Sequence, residues 1–274
     1  MRFETYDIKN KYSQDYAKVS FYLLDDSKEI AVKKRPLVIV CPGGGYGFTS
    51  DREAEIVALQ FTAMGYHAAV LRYSVAPAVF PAAILELGKT VILAKANANE
   101  WNIDAEKIAV LGFSAGGHLA ASYGTFWHKE FMQQELGAEK EMLRPGAMIL
   151  CYPVITSGEF AHQGSFQNLL ADDYEARKEE FSLENCVTEY TPRAFVWHTY
   201  EDRLVPVQNS LLFVNALVDK KIPVEFHMFQ KGAHGLSVAN RMVGIDEAAP
   251  EGAAAAWISL VHRWMENWIP EDKK

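Results

Sequence analysis

The chain has 274 residues, of which 49% are hydrophobic and 23% are charged, and it carries a formal net charge of -8 at pH 7. A chain of this size and composition can bury most of its apolar surface in one core, so we expect a single α/β domain over residues 1–274. The acidic balance argues against nucleic acid as a partner, and the lack of a long apolar stretch argues against a membrane partner.

Apolar runs of strand length alternate with helical patterns along most of the chain, which favours a mostly parallel sheet with helices on both faces. The strand-like runs span residues 18–24, 37–41, 67–71, 108–111, 147–152, 194–197 and 224–229. Helical periodicity spans residues 52–64, 82–99, 115–123, 208–219 and 253–268. We expect the 18–24 strand to be antiparallel, and the spacing of Ser50 and Glu53 predicts a capping box at the first helix.

Two segments interrupt this alternation, residues 125–144 and 156–191, and both are richer in charged and polar side chains. They are candidates for cap insertions over a pocket. The alternative is that they are surface excursions with no role in substrate choice.

The sequence Gly112-Phe113-Ser114-Ala115-Gly116 fits the pattern G-x-S-x-G at a turn between a buried strand and a helix. Small residues on either side of the serine let the strand and helix pass closely, while the serine holds a strained conformation that exposes its hydroxyl. Ser114 is therefore the predicted catalytic nucleophile. The alternative is an ordinary strand-to-helix turn in which Ser114 caps the helix.

A serine hydroxyl is a weak nucleophile at neutral pH and needs a base, usually a histidine that a carboxylate orients. Of the eight histidines, only His234 lies in a loop of small residues directly after a predicted terminal strand. Such a loop can carry an imidazole to the edge of the sheet, so His234 is the predicted base. His118 is the rival, one helical turn after Ser114, although its helix should direct the ring along the helix face.

The predicted orienting carboxylate is Asp202, which lies in a turn between the 194–197 strand and a helix. Glu201 can reach the same space, and Asp172 and Asp173 are further alternatives within the 156–191 segment. The chain order of serine, acid and histidine is the one expected on an α/β-hydrolase sheet, and it differs from the order in other serine-triad folds.

Three consecutive glycines follow the 37–41 strand, and their bare backbone allows N–H groups to approach a ligand closely. Gly44 and Gly45, together with the N–H of Ala115, are the predicted oxyanion hole. The alternative is a plain tight turn. A dinucleotide site is not indicated, because Phe48 stands where the G-x-G-x-x-G pattern requires a glycine.

Several aromatic residues near predicted strand ends are candidates for the substrate pocket, and each is equally compatible with a packing role. They are Tyr46, Phe48, Tyr73, Phe113, Tyr152 and Tyr200.

The three cysteines are odd in number and widely spaced, which suits neither a disulfide framework nor a zinc site. Cys41 and Cys151 end apolar runs and are predicted core thiols. Residues 1–7 lack the apolar segment of a signal peptide, so we expect a cytoplasmic protein. No metal or organic cofactor is expected, because serine-based acyl transfer does not require one.

Four motifs together resemble the α/β-hydrolase superfamily, in particular its acetyl-esterase and acetylxylan-esterase-like branch. They are the glycine loop at 41–46, the serine turn at 112–120, the turn at 202–206 and the histidine loop at 232–235. The resemblance implies an eight-stranded hydrolase fold and deacylation of small esters such as acetylated sugars. Hormone-sensitive-lipase relatives usually carry histidine before the glycine triplet, whereas this chain has Pro42, which favours the sugar-ester branch.

Two rival functions remain compatible with these motifs. One is a serine peptidase of the prolyl-oligopeptidase type, although such enzymes commonly carry an additional propeller domain. The other is a non-catalytic ligand-binding protein on a hydrolase fold, which predicts that one member of the triad is missing. The sequence does not define the oligomeric state.

Overall fold

The computed structural model describes residues 1–246 and 248–268, and its centre is one eight-stranded sheet. The strands are β1 (Arg2–Asp7), β2 (Lys18–Leu23), β3 (Arg35–Cys41), β4 (His67–Arg72), β5 (Ile103–Phe113), β6 (Ala147–Cys151), β7 (Arg193–Thr199) and β8 (Val224–Phe229). Their order across the sheet is β1-β2-β4-β3-β5-β6-β7-β8. Only β1 and β2 run antiparallel to their neighbours, so the predicted mostly parallel eight-stranded sheet is confirmed.

Helices cover both faces of the sheet. The sheet separates the hydrophobic core into two layers, one on each face. The helices are α1 (Glu55–Ala63), α2 (Ala82–Ala96), α3 (Ala115–Phe126), α4 (Glu130–Leu136), α5 (Lys140–Leu143), α6 (Gln163–Leu170), α7 (Tyr174–Arg177), α8 (Gln208–Asp219) and α9 (Trp257–Glu266). Apolar side chains of α1 and α9 pack on one face, and those of α2, α3 and α8 pack on the other. The small residues of α3 allow the whole helix to be buried against the strands.

Strand β1 is missing from the elements predicted from periodicity. Its side chains alternate between half-buried and exposed rather than between apolar-inward and polar-outward, and Phe3 lies on the exposed side. An edge strand with one neighbour gives a weak hydrophobic pattern.

The predicted capping box is wrong. The Ser50 side chain makes no capping hydrogen bond, and residues Asp51–Glu53 form a short 3-10 helix before α1 begins. The Glu53 side chain instead turns into the interior, where the residue is only 5% exposed.

The two candidate cap segments lie in different places. Residues 125–144 contribute α4 and α5, which contact α2: Leu136 and Met132 lie beside Gly88, and Lys95 Nζ donates to the Glu141 carbonyl. This segment ends just before β6 begins, whereas Ser114 follows the end of β5, so residues 125–144 lie at the opposite end of the sheet from a pocket at Ser114. Residues 156–191 contain α6 and α7 and contact the loop after β3, where Asn168 Nδ2 donates to the Gly45 carbonyl.

Within residues 1–246 and 248–268, no helix is both long and apolar enough to cross a membrane. Cys41 and Cys151 are free and buried, as predicted for core thiols.

Candidate active site

Ser114 occupies a sharp turn between β5 and α3. Its φ of 54° lies in the left-handed region, which is strained for a residue with a side chain. The turn depends on the absence of a side chain at Gly112, because a Cβ there would lie 1.9 Å from the Gly116 carbonyl oxygen. The sharp turn therefore projects the Ser114 side chain from the carboxyl end of the parallel strands, where the residue is 8% exposed.

A line of two hydrogen bonds joins Ser114, His234 and Asp202. The distance from Ser114 Oγ to His234 Nε2 is 2.8 Å, and from His234 Nδ1 to Asp202 Oδ2 it is 2.6 Å. His234 reaches this position from the loop after β8, and Asp202 from the turn after β7. Residues separated by 120 and 32 positions thus meet at one edge of the sheet.

The Asp202 carboxylate is held in a polar pocket. Its Oδ1 accepts hydrogen bonds from the backbone N–H of Leu204 at 3.0 Å and of Val205 at 2.9 Å, and His198 Nε2 lies 3.3 Å from Oδ2. Burial acts to raise the pKa of Asp202, but hydrogen bonds from His198 and His234 outweigh it and hold the pKa well below its usual value. Asp202 therefore stays ionised beside the imidazole at neutral pH.

The alternative acids lie elsewhere. Glu201 is exposed and forms an ion pair with Lys231, while Asp172 and Asp173 lie exposed in a short 3-10 helix. Of the four candidate carboxylates, the structure brings only Asp202 to His234.

His118, the rival base, is buried, and both of its ring nitrogens have partners other than Ser114. Its Nε2 lies 3.0 Å from the Phe181 carbonyl oxygen and its Nδ1 lies 3.0 Å from the Tyr46 hydroxyl. The carbonyl can only accept, so Nε2 carries the proton and Nδ1 accepts from Tyr46. Burial lowers the pKa of His118 to about 4, so the ring is neutral at pH 7. Both ring nitrogens are engaged in hydrogen bonds to Phe181 and Tyr46, so neither is available to Ser114.

The glycine loop lies beside Ser114 because β3 and β5 are neighbouring parallel strands, with Cys41 opposite Gly112. Among the described residues, the backbone N–H groups of Gly44, Gly45 and Ala115 donate to no acceptor. Unpaired N–H groups next to a nucleophile are suited to receive the oxygen of an attacked carbonyl.

The prediction that Phe113 and Tyr73 line the substrate pocket is wrong, because both side chains lie in the core. Phe113 is fully buried and packs on Tyr152 and Trp257, because it is the last residue of a central strand and points into the core. Tyr73 is buried, and its hydroxyl donates to the Pro42 carbonyl. Phe48 and Tyr200 are exposed, at 63% and 65%.

Tyr46 and Tyr152, the other two predicted pocket residues, are also buried. Tyr46 lines a cavity of about 10 Å³, beside Leu119 and Phe181. Tyr152 is 1% exposed, and its ring packs edge-on against His234 with centroids 5.0 Å apart. Tyr152 therefore supports the imidazole and does not line an open pocket.

Glu53 is the residue that sequence reasoning missed. Its Oε2 accepts from the Gly43 N–H at 2.8 Å, and its Oε1 accepts from the Tyr152 hydroxyl at 2.6 Å. The same hydroxyl accepts from the Ser237 N–H at 2.8 Å. Burial raises the pKa of Glu53, and these hydrogen bonds oppose that shift. One buried carboxylate thus connects the glycine loop to the tyrosine behind His234.

No group of three or more histidine, cysteine or acidic side chains suited to a metal ion occurs in the part of the chain that the structure describes.

Comparison with known proteins gives matches over most of the chain. A family model described as BD-FAE matches residues 26–217. The chain is 38% identical to endo-1,4-beta-xylanase B of Butyrivibrio fibrisolvens over 213 residues, which are 76% of this chain and 33% of that protein. It is 28% identical to the acetylxylan esterase of Xylanibacter ruminicola over 238 residues, which are 81% of this chain and 47% of that protein. The chain thus spans less than half the length of either relative.

Among solved structures, the chain is similar to an acetyl ester-xyloside bifunctional hydrolase from Caldicellulosiruptor lactoaceticus. The TM-score is 0.79 and the sequence identity is 38%, and the match covers 91% of this chain and 87% of that one.

Proposed function

The chain belongs to the BD-FAE family and has the α/β-hydrolase fold, and we propose that it is a carboxylic ester hydrolase that removes short acyl groups through an acyl-serine intermediate. The observation that carries this proposal is the hydrogen-bonded line from Ser114 through His234 to Asp202. A hydroxyl, an imidazole and an ionised carboxylate in this order are the groups that serine acyl transfer needs.

In the first half of the reaction, Ser114 Oγ attacks the ester carbonyl carbon and His234 Nε2 takes the hydroxyl proton. Asp202 stabilises the imidazolium through the hydrogen bond at Nδ1. The carbonyl oxygen becomes an oxyanion that accepts hydrogen bonds from the N–H groups of Gly44, Gly45 and Ala115. When the carbonyl re-forms, the bond to the alcohol breaks and His234 returns the proton to the departing oxygen.

In the second half, water attacks the acyl-serine carbonyl and gives a proton to His234. A second oxyanion forms at the same N–H groups. Its collapse releases the carboxylic acid, and Ser114 regains its proton from the imidazole. The three side chains that these steps use are already joined by hydrogen bonds.

Acetylated sugars are the proposed substrates. The Xylanibacter relative is named an acetylxylan esterase, and the Caldicellulosiruptor structure is named for an acetyl ester and a xyloside.

Two measurements test this proposal. The Ser114→Ala variant should lose about a thousandfold or more in kcat/KM on phenyl acetate, while Ser50→Ala, whose side chain makes no capping hydrogen bond, should retain the wild-type rate. Acid release from acetylated sugars should exceed release from long-chain acyl esters. A preference for a dipeptide amide over acetyl esters would contradict the proposed reaction and favour a peptidase.

A further inference from the structure

His162 lies next to the glycine loop, at the residue just before α6 begins in the 156–191 segment. A Cβ placed on Gly45 would be 3.9 Å from His162 Cε1 and 3.9 Å from Ser165 Oγ. Asn168, on the same helix, donates to the Gly45 carbonyl at 2.9 Å and fixes α6 to the loop. His162 is therefore held next to one of the proposed oxyanion donors.

The hydrogen bonding of His162 defines which ring nitrogen is a donor. Ser165 Oγ lies 2.8 Å from His162 Nδ1, and Ser165 is buried. The Ser165 hydroxyl proton has no other acceptor among the described residues, so it points to Nδ1 and the ring proton resides on Nε2. Nε2 has no partner in the described part of the chain, and the ring is half-buried.

The pKa of His162 responds to the charges of two members of the proposed triad, His234 and Asp202. Burial lowers the pKa of His162, a positive charge on His234 lowers it further, and the Asp202 carboxylate opposes these effects. At neutral pH the ring is uncharged and offers one N–H group.

We propose that His162 Nε2–H donates a hydrogen bond to an oxygen of the alcohol part of the substrate, such as a sugar hydroxyl or ring oxygen, and thereby selects acetylated sugars over simple acetyl esters. This inference rests on the proposed function. The acetyl methyl group has no acceptor, and the ester carbonyl oxygen is already assigned to the N–H groups of the oxyanion hole. The substrate oxygens that are still free to accept from His162 therefore belong to the alcohol part.

The test compares methyl 2-O-acetyl-β-D-xylopyranoside, which keeps its ring oxygen and two free hydroxyls, with phenyl acetate, whose alcohol has no acceptor beyond the ester oxygen. His162→Phe keeps an aromatic ring but has no donor, so its kcat/KM on the acetylated sugar should fall about tenfold while that on phenyl acetate should stay near the wild-type value. His162→Gln can place an N–H₂ group near the position of Nε2 and should recover most of the sugar activity. His128→Phe, whose ring stacks on Tyr190 away from Ser114, is the matched control.

Three outcomes overturn the inference. Equal losses on both substrates in His162→Phe and His162→Gln indicate a general structural role, and unchanged rates on both indicate no contact. A wild-type protein that hydrolyses phenyl acetate but not the acetylated sugar overturns the inference and the proposed substrate, while it leaves the serine mechanism intact. A wild-type protein inactive on both esters contradicts the proposed function itself.

Discussion

The Tyr152 hydroxyl donates a hydrogen bond to Glu53 Oε1 over 2.6 Å, and the ring of this tyrosine packs edge-on against His234. The other carboxylate oxygen of Glu53 holds the N–H of Gly43, at the start of the glycine loop. Glu53 thus fixes two parts of the site that come from different strands, and we regard it as a positioning residue because it does not touch the reacting atoms.

Replacing Glu53 tests this positioning role. In Glu53→Gln, the side-chain amide can accept from only one of its two present donors, so either Gly43 or Tyr152 loses its partner. We expect kcat on phenyl acetate to fall about 10- to 100-fold, because displacements of about 1 Å are enough for losses of this size, with KM changed much less. Tyr152→Phe should show the same pattern, whereas Tyr200→Phe, exposed on the surface, should not. A rise in KM at constant kcat would contradict a positioning role.

The carboxylate of Asp202 is expected to control the tautomer of His234. In Asp202→Asn, the amide can present its N–H₂ group to Nδ1, which favours a proton on Nε2 and prevents that atom from accepting the Ser114 proton. We expect kcat to fall roughly 10³- to 10⁴-fold at neutral pH. Glu201→Gln is the adjacent control and should change kcat less than about twofold, since its ion pair with Lys231 is on the surface. Similar losses in both variants would remove Asp202 from its proposed role.

The backbone of the glycine loop gives a third prediction. Gly44 has a φ of 133°, and a Cβ there would lie 2.1 Å from the Phe48 carbonyl oxygen, so Gly44→Ala must rearrange the loop. Loss of the oxyanion donors should lower kcat about 10²- to 10³-fold. Gly137→Ala is a matched control, because Gly137 also has a positive φ and no neighbour within 4 Å of the added Cβ. Full activity in Gly44→Ala would exclude this loop from the oxyanion hole.

Buried His118 should make the stability of the protein depend on pH. Its pKa is about 4 in the folded protein against 6.5 for the free side chain, so between these values the unfolded chain binds a proton that the folded chain does not. Stability due to this group is therefore complete above pH 6.5 and falls as the pH decreases toward 4.

Urea unfolding at pH 7 and pH 5 measures this effect. We expect the loss of unfolding free energy between the two pH values to be smaller by roughly 2 kcal/mol in His118→Gln than in the wild type. The comparison uses the difference between pH values, so a general destabilisation of the variant does not affect it. An identical pH dependence in both proteins would show that His118 is not the buried neutral group.

The sequence predicted the fold, the family resemblance and the positions of the chemical groups, because local patterns carry that information. The serine turn needs Gly112 and Gly116 at fixed spacing, and His234 lies in a loop directly after a strand, so both features are visible in short segments. The alternation of elements and the family resemblance predicted a mostly parallel eight-stranded sheet, whereas the order of its strands came from the structure.

Other features were not predictable because they depend on tertiary contacts. Ser50 and Glu53 have the spacing of a capping box, but the buried donors of Gly43 and Tyr152 draw Glu53 inward instead. Phe113 and Tyr152 both follow or end central strands, and sequence does not indicate whether a side chain there enters the core or the pocket. Strand β1 escaped prediction because an edge strand carries little apolar alternation.

Covalent labelling of Ser114 tests the central claim most directly. The protein is incubated with diethyl p-nitrophenyl phosphate, and intact-mass and peptide mass spectrometry then locate the diethylphosphoryl group. We predict one group per chain, on Ser114 Oγ, with p-nitrophenolate released and esterase activity lost in parallel, and no labelling of Ser114→Ala. Loss of activity with Ser114 unmodified, or an adduct on a different residue that accounts for the inhibition, would contradict the account.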